Sequence, residues 1–64
     1  MLNYVETLKA SLEEETDGAG KYTALAKEAP TEEARKKLME IAKQEIMHHA
    51  IIECLLLDAG EGIK

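Results

Sequence analysis

The segment EAPTEE, residues 28–33, interrupts an otherwise helix-forming sequence and decides the fold. Pro30 disfavours a helical conformation at the residue before it. Thr31 is a suitable N-cap for a new helix, and Glu32 and Glu33 would then occupy the first turn, where the helix dipole favours negative charge. The chain therefore divides into one helix before this segment and one after it.

Each of these helices has a signal at its other end. Asn3 is followed by Glu6 three residues later, which resembles a capping box with Asn in place of Ser or Thr. Gly60 is a suitable C-cap for the second helix. The sequence thus predicts helices over about 4–29 and 32–58, which form an all-α, antiparallel two-helix hairpin.

The chain is short, with 64 residues, and we expect a single domain over 1–64. A core of this size usually needs a disulfide, a metal or oligomerisation to be stable. Cys54 is the only cysteine, which excludes an intrachain disulfide, a zinc ribbon and an in-chain rubredoxin centre. A metal held by other ligands and self-association remain.

The net charge of −5 disfavours nucleic acid as a partner, because nucleic-acid binding needs a basic surface. No apolar run reaches the roughly 18 residues of a membrane span. Residues 1–10 lack the basic start and apolar centre of a signal peptide. We therefore expect a cytoplasmic protein without a membrane or nucleic-acid partner.

Both helices carry a seam of inward positions in alternating steps of three and four, as in an antiparallel bundle. In the first helix the seam is Val5, Leu8, Leu12, Glu15, Ala19, Tyr22 and Ala26. In the second it is Leu38, Ile41, Glu45, His48, Ile52 and Leu55. Glu15, Glu45 and His48 are the members that do not suit an apolar core.

These three residues should lie at one height in the hairpin. Glu15 precedes Pro30 by 15 residues, and Glu45 and His48 follow Thr31 by 14 and 17 residues. Equal distances from the turn of an antiparallel hairpin mean equal heights. Carboxylate and imidazole ligands suit Fe, Mn or Zn better than Ca or Mg. The spacing therefore predicts a metal site.

Gly18 and Gly20 leave the continuity of the first helix open. Each costs about 0.5–1 kcal/mol relative to Ala in a helix interior. One interpretation is a break in the helix; the other is a continuous helix with close backbone approach, or room for a ligand, beside the seam. The seam keeps its phase across both residues, which favours continuity.

The run Glu14-Glu15-x-Asp17, with Tyr22 seven after Glu15 and Glu45-x-x-His48 thirty after it, resembles the ferritin-like superfamily. Rubrerythrins share the Glu-x6-Tyr and Glu-x-x-His elements. The length and two-helix plan resemble the encapsulated ferritins and related half-ferritins, in which two copies complete one four-helix bundle.

This resemblance implies a homodimer with two iron ions, held by Glu15, Glu45 and His48 from each copy. Glu15 would bridge the metals, and Glu45 and His48 would be terminal ligands. The implied activity is that of a ferroxidase, an oxidoreductase that converts Fe(II) to Fe(III) with oxygen or peroxide. Mn or Zn are the substitutes for iron. Alternatives are a metal-binding or storage module, or a structural oligomerisation hairpin, without turnover.

The resemblance also assigns roles around the site. Tyr22 would hydrogen-bond a ligand, although it also suits an ordinary core tyrosine. Glu14 and Asp17 would attract iron at an entry site, or would simply belong to a solvated acidic face. His49 follows His48 on another face, and we expect a surface or interface residue there instead of a ligand.

The second half of the second helix, residues 46–57, is apolar on nearly every side. A hairpin and one dimer seam would leave Met47, Ile51, Cys54 and Leu57 exposed, which predicts a second interface and an assembly larger than a dimer. A broader dimer face is the alternative. By resemblance the assembly would be an annular decamer with an encapsulin shell as partner, although residues 58–64 carry no recognisable third helix or targeting peptide.

Overall fold

The computed structural model describes residues 3–60 as two antiparallel α-helices joined by a short turn. The first helix, α1, spans Tyr4–Lys27, and the second, α2, spans Glu32–Asp58. The predicted all-α hairpin is therefore confirmed. Within the described residues no helix is long and apolar enough to cross a lipid bilayer.

Both predicted N-caps are present. The side chain of Asn3 accepts a hydrogen bond from the N–H of Glu6 at 2.8 Å, and the hydroxyl of Thr31 accepts one from the N–H of Ala34 at 3.1 Å. Each bond satisfies a backbone donor that has no partner inside its helix. The starts of the two helices are thus fixed by side chains that the sequence identifies.

The end of α1 differs from the prediction, because the helix stops at Lys27 and not at residue 29. The N–H of Glu28 donates to the carbonyl of Leu25 at 3.0 Å, and that of Ala29 donates to Ala26 at 3.3 Å. These bonds span three residues and so tighten the last turn away from α-helical geometry. Pro30 explains the early end, since it disfavours the α conformation just before it.

The end of α2 agrees with the prediction. The helix ends at Asp58, and Gly60 adopts a positive φ of 83°, which a glycine reaches without steric cost. Its N–H donates to the carbonyl of Leu57 at 3.0 Å. The chain therefore leaves the helix at the glycine that the sequence indicates.

The interface between the helices is narrow. The buried side chains among residues 3–60 are Ala26, Ala42 and Leu56. Every predicted seam residue of α1 is at least partly buried, as expected. In α2 the inward face is turned relative to the predicted seam: Ala42, His49 and Leu56 turn inward, while His48 and Leu55 are exposed.

Several apolar side chains are uncovered on the hairpin. One group lies on the side that carries His48, where Leu25 is 41% and Leu55 38% exposed. We call it the open side. A second group lies on the outside of α2, where Met47 and Ile51 are more than half exposed. The predicted exposure of this outer surface is confirmed. The other large apolar side chains exposed on α2 are Met39, Ile46 and Leu57.

Candidate metal centre

The middle of the hairpin brings together the three polar seam residues. Glu15 lies in α1, and Glu45 and His48 lie one helical turn apart in α2. One ligand atom from each residue lies within 4.8 Å of the other two. Metal–ligand bonds of this type are about 2 Å long, so two ligands of one ion lie at most about 4 Å apart, and small side-chain rotations would bring these three groups to a common cation.

The carboxylate of Glu15 shows most clearly that the cluster lacks a donor or cation to satisfy it. Its Oε2 atom is buried and has no hydrogen-bond partner among the described residues. The nearest candidate donor, Nδ1 of His48, is 3.5 Å away, which is beyond a normal N–H···O distance. A buried, unpaired carboxylate oxygen is costly, and a bound cation would remove that cost.

The nearby carboxyl group of Glu15 changes the pKa of Glu45. The pKa of its carboxyl group lies above the ordinary value, first because the protonated acid can donate a hydrogen bond to the carboxylate of Glu15, which favours the protonated form. Desolvation and the negative charge of Glu15 act in the same direction, while His48 opposes them. The two carboxylates therefore repel each other unless a proton or a metal ion lies between them.

Gly18 makes the close approach of these groups sterically feasible. A Cβ atom at this position would lie 3.0 Å from both Cδ and Oε2 of Glu45, closer than real Cβ contacts. At Gly20 an added Cβ would meet nothing within 4 Å. The favoured interpretation of a continuous helix is confirmed, since α1 runs unbroken through both glycines, and close approach is the interpretation that applies to Gly18.

A comparison with known protein families assigns the chain. The rubrerythrin family model matches residues 6–64, nearly the whole sequence. The chain belongs to the rubrerythrin family. No curated protein sequence and no solved structure matches it. Membership makes this a ferritin-like, iron-binding helical domain and agrees with the donor chemistry of the cluster.

In this rubrerythrin-family hairpin the cluster is enclosed on one side only. The Glu15 side chain is 21% exposed, whereas the His48 side chain is 57% exposed. His48 lies on the open side, where Leu25 and Leu55 also stand uncovered. One chain thus brings three possible metal ligands together and leaves the cluster accessible from the open side.

His49 lies on the opposite flank of Glu15 and outside the cluster. Its Nδ1 is 3.1 Å from Oε1 of Glu53, and both side chains are about one-third exposed. It lines an open pocket of about 240 Å³ together with Glu15, Thr16, Ala19 and Ile46. His49 therefore contributes to the contact between the helices, while His48 alone is oriented toward the cluster.

The remaining predicted site residues are not part of the cluster. Tyr22 is partly buried, and its ring lies 5.5 Å from Nζ of Lys21. Its hydroxyl forms no hydrogen bond to the three cluster residues within residues 3–60. Glu14 and Asp17 are exposed on α1. The roles of Tyr22 as a hydrogen-bonding group and of the two acids as an entry site stay predictions.

Proposed function

We propose that two copies of this rubrerythrin-family chain associate through their open sides and bind two Fe(II) ions between them. Glu15, Glu45 and His48 of each copy are the ligands. The assembly oxidises Fe(II) to Fe(III) with peroxide or dioxygen, and so acts as a ferroxidase.

The observation that carries this proposal is the cluster itself, in which the ligand atoms of Glu15, Glu45 and His48 lie within 4.8 Å of one another. The buried Oε2 of Glu15, which has no hydrogen-bond partner, supports the proposal of a cation at this position. The surrounding open side supplies apolar contacts for a second copy through Leu25 and Leu55. A two-fold axis through this side would bring two clusters face to face.

The charges and ligand numbers support a dimer with two ions. Two copies supply four carboxylates and two imidazoles, the ligand set of di-iron carboxylate bundles. Two divalent cations neutralise the four negative charges, which would otherwise repel one another in a partly dehydrated site. Mn(II) and Zn(II) bind the same donor types, so we expect them to compete with iron.

The redox balance of the reaction is simple. Two Fe(II) ions release one electron each. Hydrogen peroxide accepts both electrons together with two protons and yields two water molecules. Dioxygen likewise accepts the two electrons and two protons and yields one molecule of hydrogen peroxide. The protein's contribution is to hold the two ions with charge-neutralising ligands that also stabilise Fe(III), the harder cation.

Binding is tested first, by anaerobic titration of the metal-free protein with Fe(II). We expect about one iron per chain, which is two per pair of copies. Glu45→Gln should lose this binding, whereas Glu40→Gln, an exposed acid on the same helix, should retain it. Equal iron content in the two variants would overturn the assignment of the site.

Turnover is tested separately, by mixing the Fe(II)-loaded protein with peroxide or with oxygenated buffer in a stopped-flow spectrometer. We expect Fe(III) absorbance to appear much faster than in a protein-free iron solution, and Zn(II) to inhibit it. Stoichiometric binding without faster oxidation would contradict the ferroxidase proposal and favour the alternative of a metal-binding module without turnover.

A further inference from the structure

A strip on the outside of α2, formed by Met47, Ala50, Ile51 and Cys54, takes no part in the site or in the hairpin contact. We call it the outer strip. Met47 is 61% and Ile51 55% exposed, and Ala50 and Cys54 are exposed as well. Its members recur every three or four residues, so they form one continuous apolar face that points away from α1.

The outer strip is symmetric about the point between Ala50 and Ile51. Met47 and Cys54 lie at equal distances on either side of that point. Lys43 and Asp58 also lie at equal distances, one turn beyond each end of the strip. If two such helices pair antiparallel about this centre, each Met47 faces a Cys54 and each Lys43 faces an Asp58.

Lys43 and Asp58, at the two ends of the contact, carry opposite charges that suit this pairing. Lys43 and Asp58 are exposed, and neither forms an ion pair within residues 3–60. Asp58 ends α2, whose last turn has no basic side chain, so its charge opposes the negative end of the helix dipole. A cation supplied by another molecule would relieve this unfavourable arrangement.

We propose that the outer strip binds the outer strip of a second copy, antiparallel and about a two-fold axis between Ala50 and Ile51. Lys43 of each copy pairs with the partner's Asp58 at both ends of the contact. The small side chains of Ala50 and Cys54 allow the two helices to approach to about 8 Å. The contact is isologous, since the same face is used by both copies.

This contact is distinct from the one that completes the metal site. The outer strip faces away from α1, whereas His48 lies on the open side between the helices. A chain with two different two-fold contacts builds a ring with an even number of copies or an open filament. The contact needs no metal, so it persists when the metal site is empty.

The pairing gives Cys54 a specific position. Cys54 and its symmetry mate are seven residues apart along the paired helices, or about 10 Å. That exceeds the reach of a disulfide, which needs Cα atoms within about 7 Å. Position 50 and its mate are one residue apart, or about 1.5 Å along the axis. A cysteine at position 50 should therefore crosslink where Cys54 does not.

A charge-swap series in a metal chelator tests the pairing independently of the metal site. Lys43→Glu and Asp58→Lys each place like charges at both ends of the contact, and we expect about tenfold weaker association by analytical ultracentrifugation. The double variant restores opposite charges and should recover wild-type association. Helical circular dichroism verifies that each variant is folded. A double variant that associates no better than the single variants would overturn the antiparallel register.

A crosslinking experiment tests the centre of symmetry. Ala50→Cys with Cys54→Ala should form a disulfide-linked dimer on mild oxidation of the metal-free protein, whereas the wild type should not. Ala24→Cys with Cys54→Ala, on the exposed outside of α1, is the control for random collision. Crosslinking of the position-50 variant no faster than the control, or rapid crosslinking of wild-type Cys54, would overturn the proposed contact.

Discussion

Gly18 lies directly beneath the carboxyl group of Glu45, and a single added carbon would stand 3.0 Å from Cδ and Oε2 of that side chain. The glycine belongs to α1 and the glutamate to α2. The absence of a side chain at this point of α1 therefore leaves room for the carboxyl group of Glu45, a member of the candidate metal cluster on α2.

Gly18→Ala should weaken metal binding although alanine favours a helix. The new methyl group displaces the Glu45 carboxylate, and we expect about tenfold lower Fe(II) or Co(II) affinity by titration. Gly20→Ala is the matched control, since nothing lies near its added carbon. It should bind normally and gain about 0.5–1 kcal/mol of stability. Equal affinities for the two variants would contradict this role of Gly18.

Glu15→Gln should raise the stability of the metal-free protein and abolish metal binding. The amide removes a negative charge beside Glu45 and can donate a hydrogen bond to it. In chelator we expect the variant to be about 1 kcal/mol more stable than the wild type, or about 4–8 °C higher in Tm. The increase in Tm on adding Fe(II) should disappear. Glu13→Gln, an exposed neighbour, should change neither quantity.

The pH dependence of the metal-free protein follows from the raised pKa of Glu45. In the folded state this carboxyl group holds its proton more tightly than in the unfolded state, for which 4.5 is the ordinary pKa. Its contribution to stability is therefore fully present below pH 4.5 and is lost as the pH rises through the raised value. Urea unfolding in chelator should show this loss, and Glu15→Gln should reduce it.

A comparison of the two adjacent histidines should separate the cluster from the helix contact. His48→Ala removes a side chain that is 57% exposed, so stability in chelator should change little while metal binding is lost. His49→Ala removes the hydrogen bond to Glu53 and should cost about 1 kcal/mol, with metal binding retained. The opposite pattern would assign the metal to His49.

The sequence predicts most of the site because distance from a turn determines height in a hairpin. Pro30 and Thr31 locate the turn, and counting outward from them brings Glu15 to the level of Glu45 and His48. The caps at Asn3 and Thr31 are predictable because they are local. In each, a side-chain oxygen accepts a hydrogen bond from the backbone N–H three residues later.

The rotation of α2 could not be predicted in the same way. Residues 46–57 are apolar on nearly every side, so hydrophobic periodicity does not distinguish a face that contains Leu55 from one that contains Leu56. The sequence also could not predict that Gly18 contacts Glu45 in particular, because this contact depends on how each helix is rotated about its own axis.

The small core has a consequence for how the chain folds. Among the described residues, the buried apolar side chains are Ala26, Ala42 and Leu56, and two of them are alanines. So little buried surface leaves a solitary chain with almost no thermodynamic margin. Folding should then be a second-order process, with a melting temperature that rises with protein concentration. The abundance of the chain in the cell would itself determine which fraction of it is folded.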